Sequence, residues 1–216
     1  MVLEKKGILI VVSGFSGAGK GTIMKELLKR HPNVYALSIS ATTRKPRVGE
    51  QDGVDYFFKT KEEFEQMIEN GDLIEYAQYV GNYYGTPKPY VDKQLEAGKD
   101  VILEIEIQGA FEVKEKFPQT VLLFVTPPSA QILEKRLVGR GTEDRKTIAQ
   151  RLSRAAEEVE KMDHYDYLII NDDLEKCVKK VHQILRDEHL RISRNQAAIN
   201  QIRQELQEFS KGEYGI

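Results

Sequence analysis

Cysteine is nearly absent from this chain. Cys177 stands alone among 216 residues, so no intrachain disulfide can form and a reducing compartment is expected. Neither sign of charge is in excess: the formal net charge is −2, which gives no bulk pull toward nucleic acid or anionic membrane. Any basic site must therefore be a local cluster. Long hydrophobic runs are missing as well. The opening "MVLEKKGILIVV" holds one short aliphatic run, broken at once by glycines, and lacks the small-residue cleavage site of a signal peptide. These absences lead to the expectation of a cytoplasmic protein with no nucleic-acid or membrane partner. Four scattered histidines, His31, His164, His182 and His189, supply neither a Cys/His metal cluster nor a Ser/His/Asp or Cys/His catalytic set. No internal repeat is apparent, and the composition suits one sizeable domain with small inserted lobes.

What is present begins with four aliphatic runs, 7–12, 101–107, 121–125 and 167–170, which read as buried strands of a parallel sheet. Amphipathic helical patterns cover 22–30, 61–70, 90–97, 108–117, 129–138, 147–162 and the chain from 174 onward. This alternation predicts an α/β fold with a parallel sheet flanked by helices. The core is expected over 1–33, 90–135 and 156–190. Residues 34–89 break the alternation with Ser, Thr, Arg, Gly and Tyr and short strand-like pieces, and read as an inserted mixed α/β lobe. A second insertion, 136–155, is helical and dense in arginine. A helical tail occupies 191–216. Its apolar positions, with Leu185 and Ile192, Ile199, Ile202, Leu206 and Phe209, fit either a coiled-coil seam of a homo-oligomer or packing back on the core.

The stretch "ILIVVSGFSGAGKGT", residues 8–22, carries the chemistry. Gly14, Gly17 and Gly19 permit a tight turn whose backbone N–H groups point at an anion, and the helix that follows adds its positive end. Lys20 can reach the β- and γ-phosphates as a point charge. Gly14, Phe15, Ser16, Gly17, Ala18, Gly19, Lys20, Gly21 and Thr22 thus form a candidate cradle for a nucleoside triphosphate. Gly21 fills the slot where a hydroxyl would ligate Mg²⁺, so this cofactor is expected to be held mainly by phosphates and water, with Thr22 or Glu104 as the protein donor. Neither Asn-Lys-x-Asp nor Asp-x-x-Gly occurs, which argues against a GTPase switch. In "SISATTRKPRVGEQDGVDYFF", residues 38–58, the guanidinium forks of Arg44 and Arg47 and the hydroxyls of Ser40 and Tyr56 could grip a second phosphate.

Six blocks, in order, carry a family resemblance. "GFSGAGKGT", "SATTRKPRVGEQDGVDYFF", "IEYAQYVGNYYGTP", "LEIEIQGA", "RLVGRGTEDRKTIAQRL" and "YDYLIINDD" together resemble guanylate kinase over about residues 7–190. The resemblance implies a P-loop NTPase-type core, an inserted GMP-binding lobe and a mobile lid. It implies transfer of the ATP γ-phosphoryl group to GMP, with dGMP as a further acceptor. Ser40, Arg44, Arg47, Tyr56 and Tyr84 would bind the GMP phosphate; Glu75, Thr86 and a carboxylate of Glu104 or Glu106 would read guanine. Those two acids are two apart on the expected strand 101–107 and would share its face. Glu106 is favoured toward guanine, and Glu104 toward Mg²⁺ water or Lys20. Many family members carry Asp at both positions. In the lid, Arg136, Arg140 and Arg151 would stabilise the transferring charge, together with Lys20 and Arg44. The acidic run usual after "RGTE" is replaced by Asp144, Arg145, Lys146 and Thr147. Asn171 resembles the position near adenine, or it caps the helix begun around Asp173. A non-catalytic scaffold would not need Lys20, and a kinase for another monophosphate would not need Glu75 and Thr86 beside "NYYGTP".

Overall fold

A strand covered on both faces is apolar throughout, because its alternate side chains enter two different buried layers. The computed structural model describes residues 6–79, 81–139 and 144–210, and in it β1 (Leu9–Gly14) runs through the middle of a five-stranded sheet. β2 (Tyr35–Leu37) and β7 (Asp100–Glu104) lie on one side of β1, β8 (Val121–Thr126) and β9 (Tyr167–Ile170) on the other, in the order β2-β7-β1-β8-β9. Every pairing is parallel. Ile10 and Val12 cluster with Ile23, Met24 and Leu27 of α1 (Lys20–Arg30) and with Val178 and Val181 of α7 (Leu174–Glu188). Leu9 and Val11 point to the other face, against Val91 and Leu95 of α3 (Lys88–Glu96) and Ala110 and Val113 of α4 (Ile107–Lys116). The α/β class is as expected from the sequence; the sheet has one strand more. The strand expected over 101–107 stops at Glu104, and Glu106 instead becomes the N-cap of α4. The two acids therefore do not share a strand face, and that expectation is corrected.

A second sheet, β4-β3-β6-β5, is built from β3 (Ala41–Thr42), β4 (Phe57–Phe58), β5 (Leu73–Tyr79) and β6 (Asn82–Pro87). α2 (Lys61–Glu69) packs on it through Phe64, which is fully buried and stacks on Tyr83 with ring centroids 5.1 Å apart. Thr60 and Glu63 close a reciprocal capping box at its start, satisfying two orphan N–H groups. The arginine-rich insertion forms α5 (Ala130–Gly139), which buries Leu133 and Leu137, and α6 (Arg145–Val159), which buries only Ala155. Asp144 caps α6 by accepting from the Thr147 N–H at 2.8 Å. Arg140 lies outside the described residues.

The helix expected to continue from 174 ends at Glu188. Just beyond it, His189 Nε2 sits 2.9 and 3.0 Å from the carboxylate of Asp100, which also accepts from the Ile8 N–H. Buried Glu188 holds Tyr167 and Arg194. A short 3₁₀ turn follows and α8 (Gln196–Ser210) starts afresh. Leu185 is in the core, whereas Ile202, Leu206 and Phe209 are exposed. The break interrupts the apolar series between Leu185 and α8, and Ile202, Leu206 and Phe209 do not pack back on the core. Among the described residues no helix is long and apolar enough to cross a membrane.

Candidate active site

The direction of strand addition reverses at β1, and the carboxyl ends of β1 and β7 meet the start of α1 there; such a crevice is where open parallel sheets bind ligands. The glycine loop follows β1 directly. Gly14 has φ 148 and Gly19 φ 93. A Cβ on Gly19 would stand 2.4 Å from Asn171 Nδ2, so the loop conformation and the close neighbour both demand glycine. Asn171 is buried and donates to the Ala18 carbonyl at 2.7 Å. Arg136 donates to the same carbonyl at 3.2 Å and to the Asn171 carbonyl at 2.8 Å. Both side chains brace the loop from outside; the cap of α7 is Asp173, which accepts from the Lys176 N–H at 2.8 Å. Phe15 anchors the loop edge-on against Phe124, 5.1 Å between centroids. Lys20 Nζ donates to the Gly14 and Phe15 carbonyls at 2.7 and 3.3 Å. Gly21 and Thr22 are exposed in the first turn of α1.

A cleft of about 510 Å³ opens between this loop and α6; Lys20, Tyr79, Glu104, Glu106, Arg151 and Arg154 are among its walls. Glu104 hangs over α1, its oxygens 3.8 Å from where a Cβ on Gly21 would lie. The surrounding protein raises its carboxyl pKa by desolvation, and Lys20 acts in the opposite sense. Arg151 donates to Ser16 Oγ, so α6 touches the loop. Glu106 pairs with Arg154, whose Nε donates to Glu158 at 3.0 Å.

The lobe supplies two further clusters. Arg44 makes a two-pronged contact with Glu50 at 2.8 and 3.0 Å and lies over the rings of Tyr56 and Phe58, 5.2 and 5.9 Å from their centroids. Glu50, chiefly, and Tyr84 hold the Arg44 guanidinium pKa above its ordinary value. Tyr56 and Tyr84 stand with ring centroids 6.2 Å apart. Arg47 is exposed and lends its backbone N–H to Glu50 at 2.8 Å, while Ser40 is half-buried and receives the Phe57 N–H on its carbonyl. The other cluster is buried: Thr86 Oγ1 donates to Glu75 Oε1 at 2.6 Å. Glu75 Oε2 would lie 3.3 Å from a Cβ on Gly109, so the bare first turn of α4 admits the carboxylate.

Burial raises the Glu75 pKa, and the Thr86 hydrogen bond only partly offsets it. A carboxyl whose folded pKa exceeds its unfolded one contributes stability below the unfolded value and loses it as pH rises through the folded value. Glu75→Gln should therefore melt higher than the parent at neutral pH, with the gap closing toward pH 4. Thermal melts across that range check this; a pH-independent gap would mean that Glu75 does not titrate there.

Sequence reasoning had not singled out Tyr79, Arg154 or Glu50. Arg154 had one available signal, its place one helical turn after Arg151 on the same face. Glu50 and Tyr79 had none, since their roles depend on how loops fold back.

Comparison with known proteins bears on the fold and the family. The sequence model described as guanylate kinase matches residues 6–188. The chain belongs to the guanylate kinase family. It is 53% identical over 193 residues to a guanylate kinase of Oceanobacillus iheyensis, covering 89% of this chain and 93% of that one. A guanylate kinase of Bacillus cereus is 54% identical over 191 residues, with 88% and 93% covered. The crystal structure of guanylate kinase from Anaplasma phagocytophilum superposes with a TM-score of 0.69 at 34% identity, covering 89% of this chain and 92% of that one. Membership of this family makes the chain a nucleotide-binding kinase, an enzyme of the phosphotransferase class with a P-loop fold.

Proposed function

We propose that this chain transfers the γ-phosphoryl group of ATP to the phosphate of GMP, giving ADP and GDP, in the cytoplasm as a step of guanine nucleotide synthesis and recycling. The division of labour follows the segments with one boundary moved: 1–33, 90–135 and 156–190 hold ATP together with β2, which belongs to the core sheet and not to the expected lobe 34–89; the rest of that lobe holds GMP, 136–155 close as a lid, and 191–216 form an appended tail. The observation that carries the reading is the buried Glu75–Thr86 pair beside the glycine of α4. Guanine presents N1–H and an exocyclic amine as donors on one edge, whereas adenine offers an unprotonated N1 there. A desolvated carboxylate suits the first and is left badly paired against the second.

The acceptor is a phosphate oxygen, already ionised, so no general base is required; catalysis is positioning and positive charge around an in-line transfer. The phosphate loop 14–22 orients the triphosphate, Asn171 lies toward adenine, and Arg136, which braces the loop through the Ala18 and Asn171 carbonyls, adds its positive charge beside the phosphates. Lys20 and Arg151 carry positive charge to the transferring group, and Arg140 would join them from the lid. Arg44, Arg47, Ser40, Tyr56 and Tyr84 hold the acceptor phosphate, and Glu106 joins Glu75 and Thr86 at guanine. The carboxylate of Glu104, beside Gly21 in the first turn of α1, is a hard oxygen donor that fits Mg²⁺, and Thr22 follows Gly21 in that same turn. That ion would neutralise phosphate charge when bound. Closure of lid and lobe would exclude the water that otherwise accepts the phosphoryl group.

A coupled ADP-release assay with ATP and each of GMP, dGMP, AMP, CMP, UMP and dTMP tests this. Turnover confined to GMP and dGMP is the expected result. A folded protein inert toward all six would bring the scaffold reading forward. Glu75→Gln should lower the preference for GMP over AMP in kcat/KM by about 10–100-fold; an unchanged ratio would remove Glu75 from base reading.

A further inference from the structure

Two arginines one turn apart on α6 reach different parts of the cleft. Arg151 donates to Ser16 in the phosphate loop, and Arg154 donates to Oε2 of Glu106 at the head of α4. Residues i and i+3 share a helix face, so any shift of α6 moves both contacts together. The Arg154 fork is itself aimed: its Nε donates to Glu158 one turn further on, which turns the terminal nitrogens toward Glu106. Glu106, by contrast, caps α4 without using its side chain for the purpose. Its rotatable bonds let the carboxylate sweep unless an outside group holds it. With the Glu106 side chain 74% exposed, lone pairs remain open for further donors.

We propose that Arg154 is a positioning residue for the acceptor base. It fixes the Glu106 carboxylate so that an open oxygen faces the N–H edge of a purine monophosphate, and so couples that contact to the lid helix. This rests on the reading in which Glu106 contacts guanine. In the open protein the exposed pair is weak and screened. Closure that expels water strengthens it, so its loss shows in acceptor affinity rather than in melting temperature.

Steady-state kinetics on the full chain test the role with Arg154→Ala, Arg154→Lys, Glu106→Gln and the Glu106→Gln/Arg154→Ala double variant. The acceptors are GMP and inosine monophosphate, which lacks the exocyclic amine. Arg154→Ala should raise KM for GMP about tenfold, keep KM for ATP and kcat within about twofold, and narrow the preference for GMP over inosine monophosphate. Arg154→Lys should restore part of the loss. The double variant should be no worse than Glu106→Gln alone, because both changes act through one contact. If Glu106→Gln raises KM for GMP but Arg154→Ala does not, or if their effects add, the positioning role fails and the base contact survives. If Glu106→Gln leaves both KM for GMP and the preference unchanged, the base contact and the positioning role fall together. The wider transfer reading is then still judged by the six-acceptor series. A rise confined to KM for ATP would make Arg154 a donor-side residue and overturn the proposal.

Discussion

Lys20→Ala should lower kcat for ADP release from ATP and GMP by roughly 10²–10³ while the protein stays folded. The ammonium is the first side chain of α1 and folds back over the loop mouth, held by the Gly14 carbonyl at 2.7 Å and the Phe15 carbonyl at 3.3 Å. A phosphate can draw the ammonium away from these carbonyls, because its full negative charge attracts the cation more strongly than a carbonyl dipole does. As the γ-group leaves ADP, charge builds on the bridging and equatorial oxygens, where this cation would stand. Its contribution therefore grows toward the transition state, and kcat should fall more than KM for ATP rises. Circular dichroism and a thermal melt of the variant establish that it is folded. A kcat within tenfold of the parent would remove Lys20 from the catalytic set.

Gly14→Ala should be among the most damaging methyl additions at the described glycines. Gly14 ends β1 with φ 148, in a region that L side chains rarely adopt, and a Cβ there would stand 2.0 Å from the Val125 carbonyl oxygen. Val125 cannot step aside, because β8 pairs with β1 on one edge and with β9 on the other. The clash is backbone against backbone in the middle of the sheet. A loss of about 3–5 kcal/mol follows, at the severe end for a point change. For a chain of this size, each kcal/mol moves Tm by roughly 2–4 °C, so the melt should fall by on the order of 10 °C. Calorimetry measures it. A shift below about 2 °C would show that β1 and β8 can part at no serious cost.

The phosphate loop was legible because its requirement is local: glycines at fixed spacing after a strand and before a helix state a backbone conformation, whatever the rest of the chain does. The Glu75–Thr86 pair could be placed through its neighbours in "NYYGTP", but its burial could not, since that depends on α4 presenting a bare glycine more than twenty residues on in the chain. β2 escaped notice because three residues are too few to show a period; it exists by pairing with β7. The extent of β7 was overread because "EIEIQGA" alternates like a strand across the point where α4 begins. The helix break after Glu188 was invisible for a related reason. His189 is held by Asp100, 89 positions earlier, and no local pattern announces such a partner. Arg154 and Glu106 are 48 residues apart and meet only when the arginine-rich helix folds over the cleft.

Arg44 bears on what kind of anion the lobe can accept. Its guanidinium is already neutralised by Glu50 through two parallel hydrogen bonds. On the proposed role of Arg44, an arriving phosphate would compete with a resident counter-ion rather than fill an empty positive site, and the exchange would favour a newcomer more highly charged than a carboxylate. A phosphomonoester meets that condition above its second ionisation, near pH 6, and loses most of its advantage once protonated to the monoanion. The lobe would then act as a valence filter, passing over carboxylate metabolites and singly charged diesters before any base is read.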